Sequence, residues 1–225
     1  MDVTPLLTGG LVQKYMKIPI GPDFKPSKIV CVGRNYAEHA AELGNDVPTE
    51  PLLFLKAPSA LNLDGSRIVI PKVSSQVEHE GELAVVISKT CKDLADDADV
   101  LPYVLGFTCL NDVTARDIQK KDIQFTRGKS FDTFCPIGPH IETELDVTDI
   151  SVVCRANGEV KQKGRTSQMV FPVAHLIRYI SNMMTLNPGD VIATGTPSGV
   201  SRMVDGDVCE VEIEGIGVLS NSVNS

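Results

Sequence analysis

The hydrophobic positions of the chain fall mainly into short runs that are rich in β-branched residues and separated by turn-forming residues. Such runs are typical of strands, because branched side chains pack well on a pleated surface. The runs that predict strands cover residues 28–32, 52–55, 67–70, 83–88, 104–110, 150–156, 160–162, 191–194, 208–213 and 217–220. Helical spacing is confined to fewer segments, of which 113–122 and 173–184 are the longest. The pattern predicts a mixed α/β domain that is mainly β, with a few short helices.

A third helix, predicted over residues 36–43, carries a His–Glu pair and is too short to be stable alone. Asn35 is placed to cap this helix, with Glu38 completing a capping box. His39 and Glu42 are three residues apart and share one face. The segment is either a lid that orders over a ligand or an exposed surface helix with an incidental ion pair.

Two acidic residues, Glu80 and Glu82, stand two residues apart before the apolar run 83–88. In a strand such residues point to the same face, so their charges repel unless solvent, a shared proton or a cation intervenes. A third acid, Asp112, follows the apolar run 103–111. Three carboxylates at two strand ends would suit a hard divalent ion such as Mg²⁺ or Mn²⁺. Spacing alone leaves a metal site and a solvated strand end both open.

Further polar residues are candidates for substrate contacts. Arg116 and Gln119 would share a helix face with Asp112, so Arg116 would hold a substrate carboxylate and Gln119 would add an amide contact. An intrahelical Asp–Arg pair is the alternative. Lys129 is either a cation beside this anionic site or a surface lysine. Thr196 lies after the run 191–194, in a segment that is either a plain turn or a loop whose hydroxyls and amides face a ligand.

Composition narrows the function classes. The net charge of −8 argues against a nucleic-acid surface, and no run approaches the roughly 18 apolar residues of a membrane span. The six cysteines form no CxxC pair, which predicts free buried thiols in a reducing compartment. The first residues lack the features of a signal peptide. We therefore expect a cytoplasmic protein without nucleic-acid or membrane partners.

The length of 225 residues fits one domain, with a small appendage. Residues 1–27 are broken by four prolines and predict a small N-terminal extension with one or two strands. Residues 28–225 would then form the catalytic domain.

Five short motifs occur in order between residues 33 and 199. They are Gly33-Arg34-Asn35-Tyr36-Ala37-Glu38-His39, His79-Glu80-Gly81-Glu82-Leu83, Asn111-Asp112-Val113-Thr114-Ala115-Arg116-Asp117, Gly128-Lys129-Ser130-Phe131-Asp132 and Thr194-Gly195-Thr196-Pro197-Ser198-Gly199. Together they resemble the fumarylacetoacetate hydrolase family, in particular its short single-domain members.

The resemblance implies a β-roll or β-sandwich, usually a homodimer, and substrates with a pyruvyl head. It implies Mg²⁺ or Mn²⁺ held by Glu80, Glu82 and Asp112. The residues expected to bind substrate are Arg34, Arg116, Gln119 and Thr196. The residues expected to act in catalysis are His39, Glu42 and Lys129.

The expected reaction is metal-dependent hydrolysis of a C–C bond in acylpyruvates such as acetylpyruvate or fumarylpyruvate. His39, oriented by Glu42, would activate the attacking water, and Lys129 would stabilise the developing negative charge. Alternatives that share the pyruvate enolate are oxaloacetate decarboxylation and the isomerisation or decarboxylation of dioates such as 2-hydroxyhepta-2,4-diene-1,7-dioate in aromatic catabolism. An inactive binding protein is a further alternative, against which the intact site residues argue.

Overall fold

The computed structural model describes residues 17–225, and most of the regular secondary structure in this part is β-strand. Its strands are β1 (Lys17–Pro19), β2 (Ile29–Gly33), β3 (Leu52–Lys56), β4 (Leu61–Leu63), β5 (Arg67–Val69), β6 (Val77–Glu78), β7 (Gly81–Ile87), β8 (Val104–Asn111), β9 (Thr114–Ala115), β10 (Cys135–Glu142), β11 (Ser151–Ala156), β12 (Glu159–Arg165), β13 (Val191–Ala193), β14 (Val208–Ile213) and β15 (Gly217–Asn224). Its α-helices are α1 (Ala37–Glu42), α2 (Arg116–Gln119), α3 (Thr126–Lys129) and α4 (Val173–Met183), with 3₁₀ turns at Pro58–Ala60, Leu101–Tyr103 and Thr166–Gln168. The predicted mixed, mainly β fold is confirmed.

The larger sheet positions the acidic residues. Its strand order is β1-β10-β8-β7-β13-β2-β3, with β4 added in parallel beside β10. All seven residues of β7 are buried, because both faces of this central strand are covered. β7 pairs with β8 in antiparallel fashion, with Gly81 opposite Asn111 and Glu82 opposite Leu110. The pairing therefore brings the start of β7 beside the end of β8, where Asp112 follows.

A second sheet, ordered β12-β11-β14-β15-β5, packs across β7 and β8. The two sheets come close at Gly81, the residue between the two glutamates. A Cβ atom at Gly81 would lie 3.1 Å from the Cβ of Cys154 and 3.4 Å from two methyl carbons of Val211. This separation is tighter than ordinary van der Waals contact, so the glycine lets the layers approach directly behind the acidic residues.

The segment after Asp112 differs from the prediction. Instead of a helix over 113–122, Thr114 and Ala115 form β9, which pairs with β6, and α2 is only four residues long. The hydroxyl of Thr114 donates to the carbonyl of Asp112 at 2.9 Å, and the Arg116 amide donates to the carbonyl of Gln76 at 2.7 Å. These contacts favour extended backbone, so the helix face predicted to carry Asp112, Arg116 and Gln119 was wrong.

Four strands, β4, β6, β9 and β10, were not predicted, and β10 is the longest of them. β10 contains two prolines and a register irregularity between Gly138 and Glu142, which hide its strand pattern in the sequence. It nevertheless pairs with β1, β4 and β8.

β1 belongs to the predicted N-terminal extension, whose residues before 17 lie outside the described part. The division at residue 27 stays a prediction. No helix within residues 17–225 is long and apolar enough to cross a membrane.

Candidate active site

A cavity of about 470 Å³ lies where α1, the start of β7, the end of β8 and the short helices α2 and α3 meet. Its lining includes every residue that the sequence predicted for the site: Arg34, His39, Glu42, Glu80, Glu82, Asp112, Arg116, Gln119, Lys129 and Thr196. Apolar side chains of Leu52, Phe54 and Phe125 form another part of the wall. The fold thus gathers residues from five separate motifs around one cavity of small-molecule size.

Three carboxylates form the anionic part of this cavity. Glu80, Glu82 and Asp112 each present an oxygen, and these oxygens lie within 4.8 Å of one another. Their side chains are buried, with Glu80 the most exposed at 5%. The Asp112 amide donates to the carbonyl of Glu80 at 2.9 Å, which ties the two strand ends together. The alternative of a solvated strand end was therefore wrong.

Two buried lysines pair with this cluster. Lys129 Nζ lies 2.8 Å from Glu80 Oε2 and 2.6 Å from Asp112 Oδ2, so it is not a surface residue. Lys56 Nζ lies 2.6 Å from Asp112 Oδ1. Burial alone would lower the pKa of Lys129, but Asp112 and Glu80 outweigh it and raise the pKa. Lys129 is consequently a fixed positive charge inside the cavity.

Arg116 is also engaged within the protein. Its Nε donates to Glu78 Oε2 at 2.7 Å, its Nη2 donates to Glu80, and its Nη1 donates to Gln119 Oε1 at 2.6 Å. Burial alone would raise the pKa of Glu80, but Lys129 and Arg116 outweigh it and hold the pKa below its ordinary value. The contact of Arg116 with a substrate carboxylate stays a prediction, since the guanidinium already holds two protein carboxylates.

Glu82 has a different environment from its neighbours. Its Oε2 accepts a hydrogen bond from the Gly195 amide at 2.7 Å, and it makes no ion pair with any residue of 17–225. Burial raises the pKa of Glu82, and the charges of Asp112 and Glu80 raise it further. With Glu78 included, four clustered carboxylates face three cationic side chains.

This charge balance fits a metal ion. Oxygen donors within reach of one another and an uncompensated negative charge are what a hard divalent cation requires. The residues that would hold Mg²⁺ or Mn²⁺ are Glu80, Glu82 and Asp112.

The His–Glu pair of α1 faces the same cavity. His39 is only 4% exposed, and its Nδ1 lies 3.1 Å from Glu42 Oε2. The Gly199 amide donates to Glu42 Oε1 at 3.0 Å, which fixes the carboxylate. Within α1, His39 and Ala40 are buried and the other four residues are exposed, so an ordering of this helix over a ligand stays a prediction. A hydrogen bond from Nδ1–H to Glu42 would leave Nε2 as the free proton-accepting nitrogen.

The predicted cap of this helix was also wrong. Tyr36 occupies the N-cap position without a side-chain cap, and Glu38 accepts a hydrogen bond from Ser198 at 3.2 Å instead of closing a capping box. Asn35 is buried and clamps two loops: its Oδ1 accepts from the Phe171 amide at 2.8 Å, and its Nδ2 donates to the Thr194 carbonyl at 2.7 Å. Tertiary contacts therefore anchor the start of α1.

Thr196, on the wall of the cavity, is held by a buried hydrogen-bond network. Its hydroxyl donates to the carbonyl of Gly81 at 2.8 Å and accepts from Gln162 Nε2 at 2.7 Å. Gln162 Oε1 in turn accepts from the Gly81 amide at 3.0 Å and lies 2.9 Å from His79 Nδ1. The network fixes the backbone between the two glutamates.

Sequence reasoning missed several of these residues. Gln162 and Glu78 carry no local signal, because their partners lie far away in the chain. Lys56 had one signal: it ends the apolar run 52–55, where a charge must be paired if the strand is buried. Tyr36 was noted only within its motif, yet its hydroxyl is buried with no partner among residues 17–225. Burial, and then the charge of Glu82, raise the pKa of Tyr36.

The cysteines are free and buried, as predicted. Burial raises the pKa of Cys135, which is close to the site, to about 12. Burial and the charge of Asp112 likewise raise the pKa of Cys31. These thiols are therefore poor nucleophiles and serve as packing residues.

Comparisons with known proteins show what the chain is similar to. The family model described as fumarylacetoacetate (FAA) hydrolase C-terminal matches residues 28–224. An oxaloacetate decarboxylase, mitochondrial, of Dictyostelium discoideum is 47% identical over 196 residues, covering 84% of this chain and 89% of the relative. The oxaloacetate tautomerase YisK of Bacillus subtilis is 42% identical over 213 residues, covering 88% and 70%. The crystal structure of a 5-carboxymethyl-2-hydroxymuconate delta-isomerase from Mycobacterium smegmatis is 45% identical, with a TM-score of 0.83 and coverage of 89% and 77%.

Proposed function

The chain belongs to the fumarylacetoacetate hydrolase family, and we propose that it is an enzyme that tautomerises or decarboxylates oxaloacetate or a closely related 2-oxo dicarboxylate. The observation that carries this proposal is the cavity itself, which is lined both by the three clustered carboxylates and by the pair of the buried His39 with Glu42. The names of two similar proteins, an oxaloacetate decarboxylase and an oxaloacetate tautomerase, support this substrate class.

Both reactions pass through an enolate of the substrate. When bound by Glu80, Glu82 and Asp112, a divalent cation would supply Lewis-acid stabilisation of the negative charge that develops on the substrate oxygen. Lys129 adds a fixed positive charge on the same side of the cavity, since its pKa is raised and its ammonium group touches two of the three carboxylates. This charge is in place before the reaction begins and needs no reorganisation.

His39 is the residue that moves protons. With Nδ1 directed to Glu42, its Nε2 is able to take a proton from C3 of the keto form and to return it to the enolate oxygen. Decarboxylation needs no base for the bond-breaking step, because the electron pair of the broken C–C bond forms the enolate. We therefore propose that His39 is required for tautomerisation and is less important for loss of CO₂.

Acylpyruvate hydrolysis, which the motif resemblance put first, stays a second candidate. The observation that favours it is the His39–Glu42 pair, which has the geometry of a base that activates water. The named relatives support the oxaloacetate-directed alternative better. The homodimer that the resemblance implies is likewise a proposal, which light scattering of the purified protein measures.

One set of assays tests the proposed function. The purified protein with Mg²⁺ or Mn²⁺ is given enol-oxaloacetate, keto-oxaloacetate, acetylpyruvate and fumarylpyruvate, and enol decay, pyruvate release and C–C cleavage are followed separately. The proposal predicts enol decay or pyruvate release from oxaloacetate that EDTA abolishes. His39→Gln should remove most of the tautomerisation and leave decarboxylation less affected. Cleavage of acylpyruvates alone would favour the second candidate, and no turnover of any of the four compounds would overturn both.

A further inference from the structure

The cavity contains a cation that no carboxylate of residues 17–225 neutralises. Of the arginines and lysines in its lining, Arg116 and Lys129 are paired with buried carboxylates. Lys120 is exposed at the rim. Arg34 is half-buried on the wall and makes no ion pair or side-chain hydrogen bond with any residue of 17–225. A guanidinium that is partly withdrawn from water without a partner is a binding group for an anion from outside the protein.

The backbone of Arg34 is held in place at a conformational cost. Its φ angle is 57°, in the left-handed region that residues with a Cβ atom rarely adopt. Gly33 before it pairs with Leu52 in the sheet, and Asn35 after it is clamped to Phe171 and Thr194. The surrounding structure thus enforces the strained conformation, which is a pattern found at ligand-binding positions.

We propose that Arg34 binds the distal carboxylate of a 2-oxo dicarboxylate substrate and that this contact favours tautomerisation over decarboxylation. The proposal rests on the proposed function. It also assigns to Arg34 the carboxylate contact that sequence reasoning gave to Arg116, whose guanidinium is already engaged by Glu78 and Glu80.

The preference follows from what happens to the distal carboxylate in each reaction. In decarboxylation the C3–C4 bond breaks, its electron pair becomes the C2–C3 enolate, and C4 leaves as neutral CO₂; a proton is then added at C3 to give pyruvate. In tautomerisation a proton moves between C3 and the C2 oxygen, and C4 remains an anionic carboxylate. A positive charge on C4 therefore stabilises the starting state of decarboxylation more than its transition state, and leaves tautomerisation unaffected.

The first arm of the test measures binding without turnover. The ligands are 2-oxoglutarate and 2-oxopentanoate, which have five carbons each and differ only in a terminal carboxylate or methyl group. Calorimetry with Mg²⁺ should show that the wild-type protein prefers 2-oxoglutarate by roughly tenfold or more. Arg34→Gln should abolish this preference, because the apolar wall of Leu52, Phe54 and Phe125 then favours the methyl end. Arg67→Gln, an exposed arginine on β5, is the matched control and should retain the preference.

The second arm measures the partition of oxaloacetate. The ratio of pyruvate formation to enol–keto conversion should rise several-fold in Arg34→Gln and stay unchanged in Arg67→Gln. The ratio for Arg34→Lys should lie between those of wild type and Arg34→Gln, because lysine keeps the positive charge but lacks the two parallel donors of the guanidinium group. An unchanged ligand preference in Arg34→Gln, or an unchanged ratio, would overturn the assignment. If the wild-type protein turns over no oxaloacetate, the proposed function is wrong. The binding measurements still decide whether Arg34 binds the distal carboxylate.

Discussion

Replacing Gly81 by alanine tests whether the close approach of the two sheets supports the acidic site. Gly81 lies between Glu80 and Glu82, and both its backbone amide and carbonyl are tied into the network of Gln162 and Thr196. A Cβ atom would enter the gap between the layers at 3.1 Å from the Cβ of Cys154. Neither atom is the end of a flexible side chain, so the backbones themselves must separate.

The expected loss of stability is set by two opposing effects. Overpacking of a tight interior costs about 1–3 kcal/mol, while replacing a strand glycine by alanine recovers about 0.5–1 kcal/mol of backbone entropy. Gly81→Ala should therefore lower the free energy of unfolding by about 1–2 kcal/mol, as measured by urea denaturation of the metal-free protein. Because the shift occurs between the glutamates, the affinity for Mn²⁺ should fall as well.

Two further variants make this experiment decisive. Gly21→Ala is the matched control, since nothing lies within 4 Å of a Cβ atom there and its backbone has an ordinary φ; it should be neutral or slightly stabilising. The double variant Gly81→Ala/Cys154→Gly adds a Cβ atom at position 81 and removes the Cβ atom that it would meet at position 154. The two substitutions together should therefore lower the free energy of unfolding by less than the sum of their separate effects. If Gly81→Ala is as stable as Gly21→Ala, or if the double variant is strictly additive, the close approach of the two sheets does not support the acidic site.

Two other predictions concern buried charges. Lys56→Met should lower the free energy of unfolding by about 3 kcal/mol in urea denaturation, because the Asp112 carboxylate keeps Lys129 but loses its second cation at 2.6 Å; a loss below about 1 kcal/mol would show that Lys56 contributes no net stability. Burial alone would raise the pKa of Asp190, but hydrogen bonds, first from Lys28 and then from Ser27, outweigh it and lower the pKa from 3.8. The contribution of the Asp190 carboxylate to the free energy of unfolding is therefore fully present above pH 3.8 and is lost as pH falls through the lower pKa of the folded state. The stability difference between wild type and Asp190→Asn should shrink in that range. A difference that is independent of pH would contradict this prediction.

Pairs of residues that follow from local spacing are predictable from the sequence. The spacing predicts that Glu80 and Glu82 project to one side and that His39 and Glu42 share a helix face, and the structure places all four on the cavity wall. Only the order of the five motifs, through the family resemblance, assigned the two pairs to one site. The local spacing does not indicate that β7 and α1 meet at one cavity. The carboxylate cluster likewise includes Asp112, which the β7–β8 pairing places beside Glu80.

Where the sequence misled, long-range contacts overrode local preference. Asn35 has the chemistry of a helix cap, but buried carbonyl and amide groups of Thr194 and Phe171 compete for its side chain. Thr114 sits in a helical pattern, but pairing with β6 holds it extended. Such partners lie up to 159 residues away, so no window of the sequence reveals them.

A Mn²⁺ titration of Glu82→Gln, followed by electron paramagnetic resonance, tests most directly the claim that the buried carboxylates hold a divalent cation. Glutamine keeps the shape of the side chain and an oxygen that accepts from the Gly195 amide. It removes the carboxylate charge of Glu82, a group whose pKa is raised by burial. The metal-free variant should be at least as stable as wild type. Its affinity for Mn²⁺ should fall by at least about a hundredfold, whereas the exposed control Glu144→Gln should bind like wild type. Wild-type Mn²⁺ affinity in Glu82→Gln would contradict the claim.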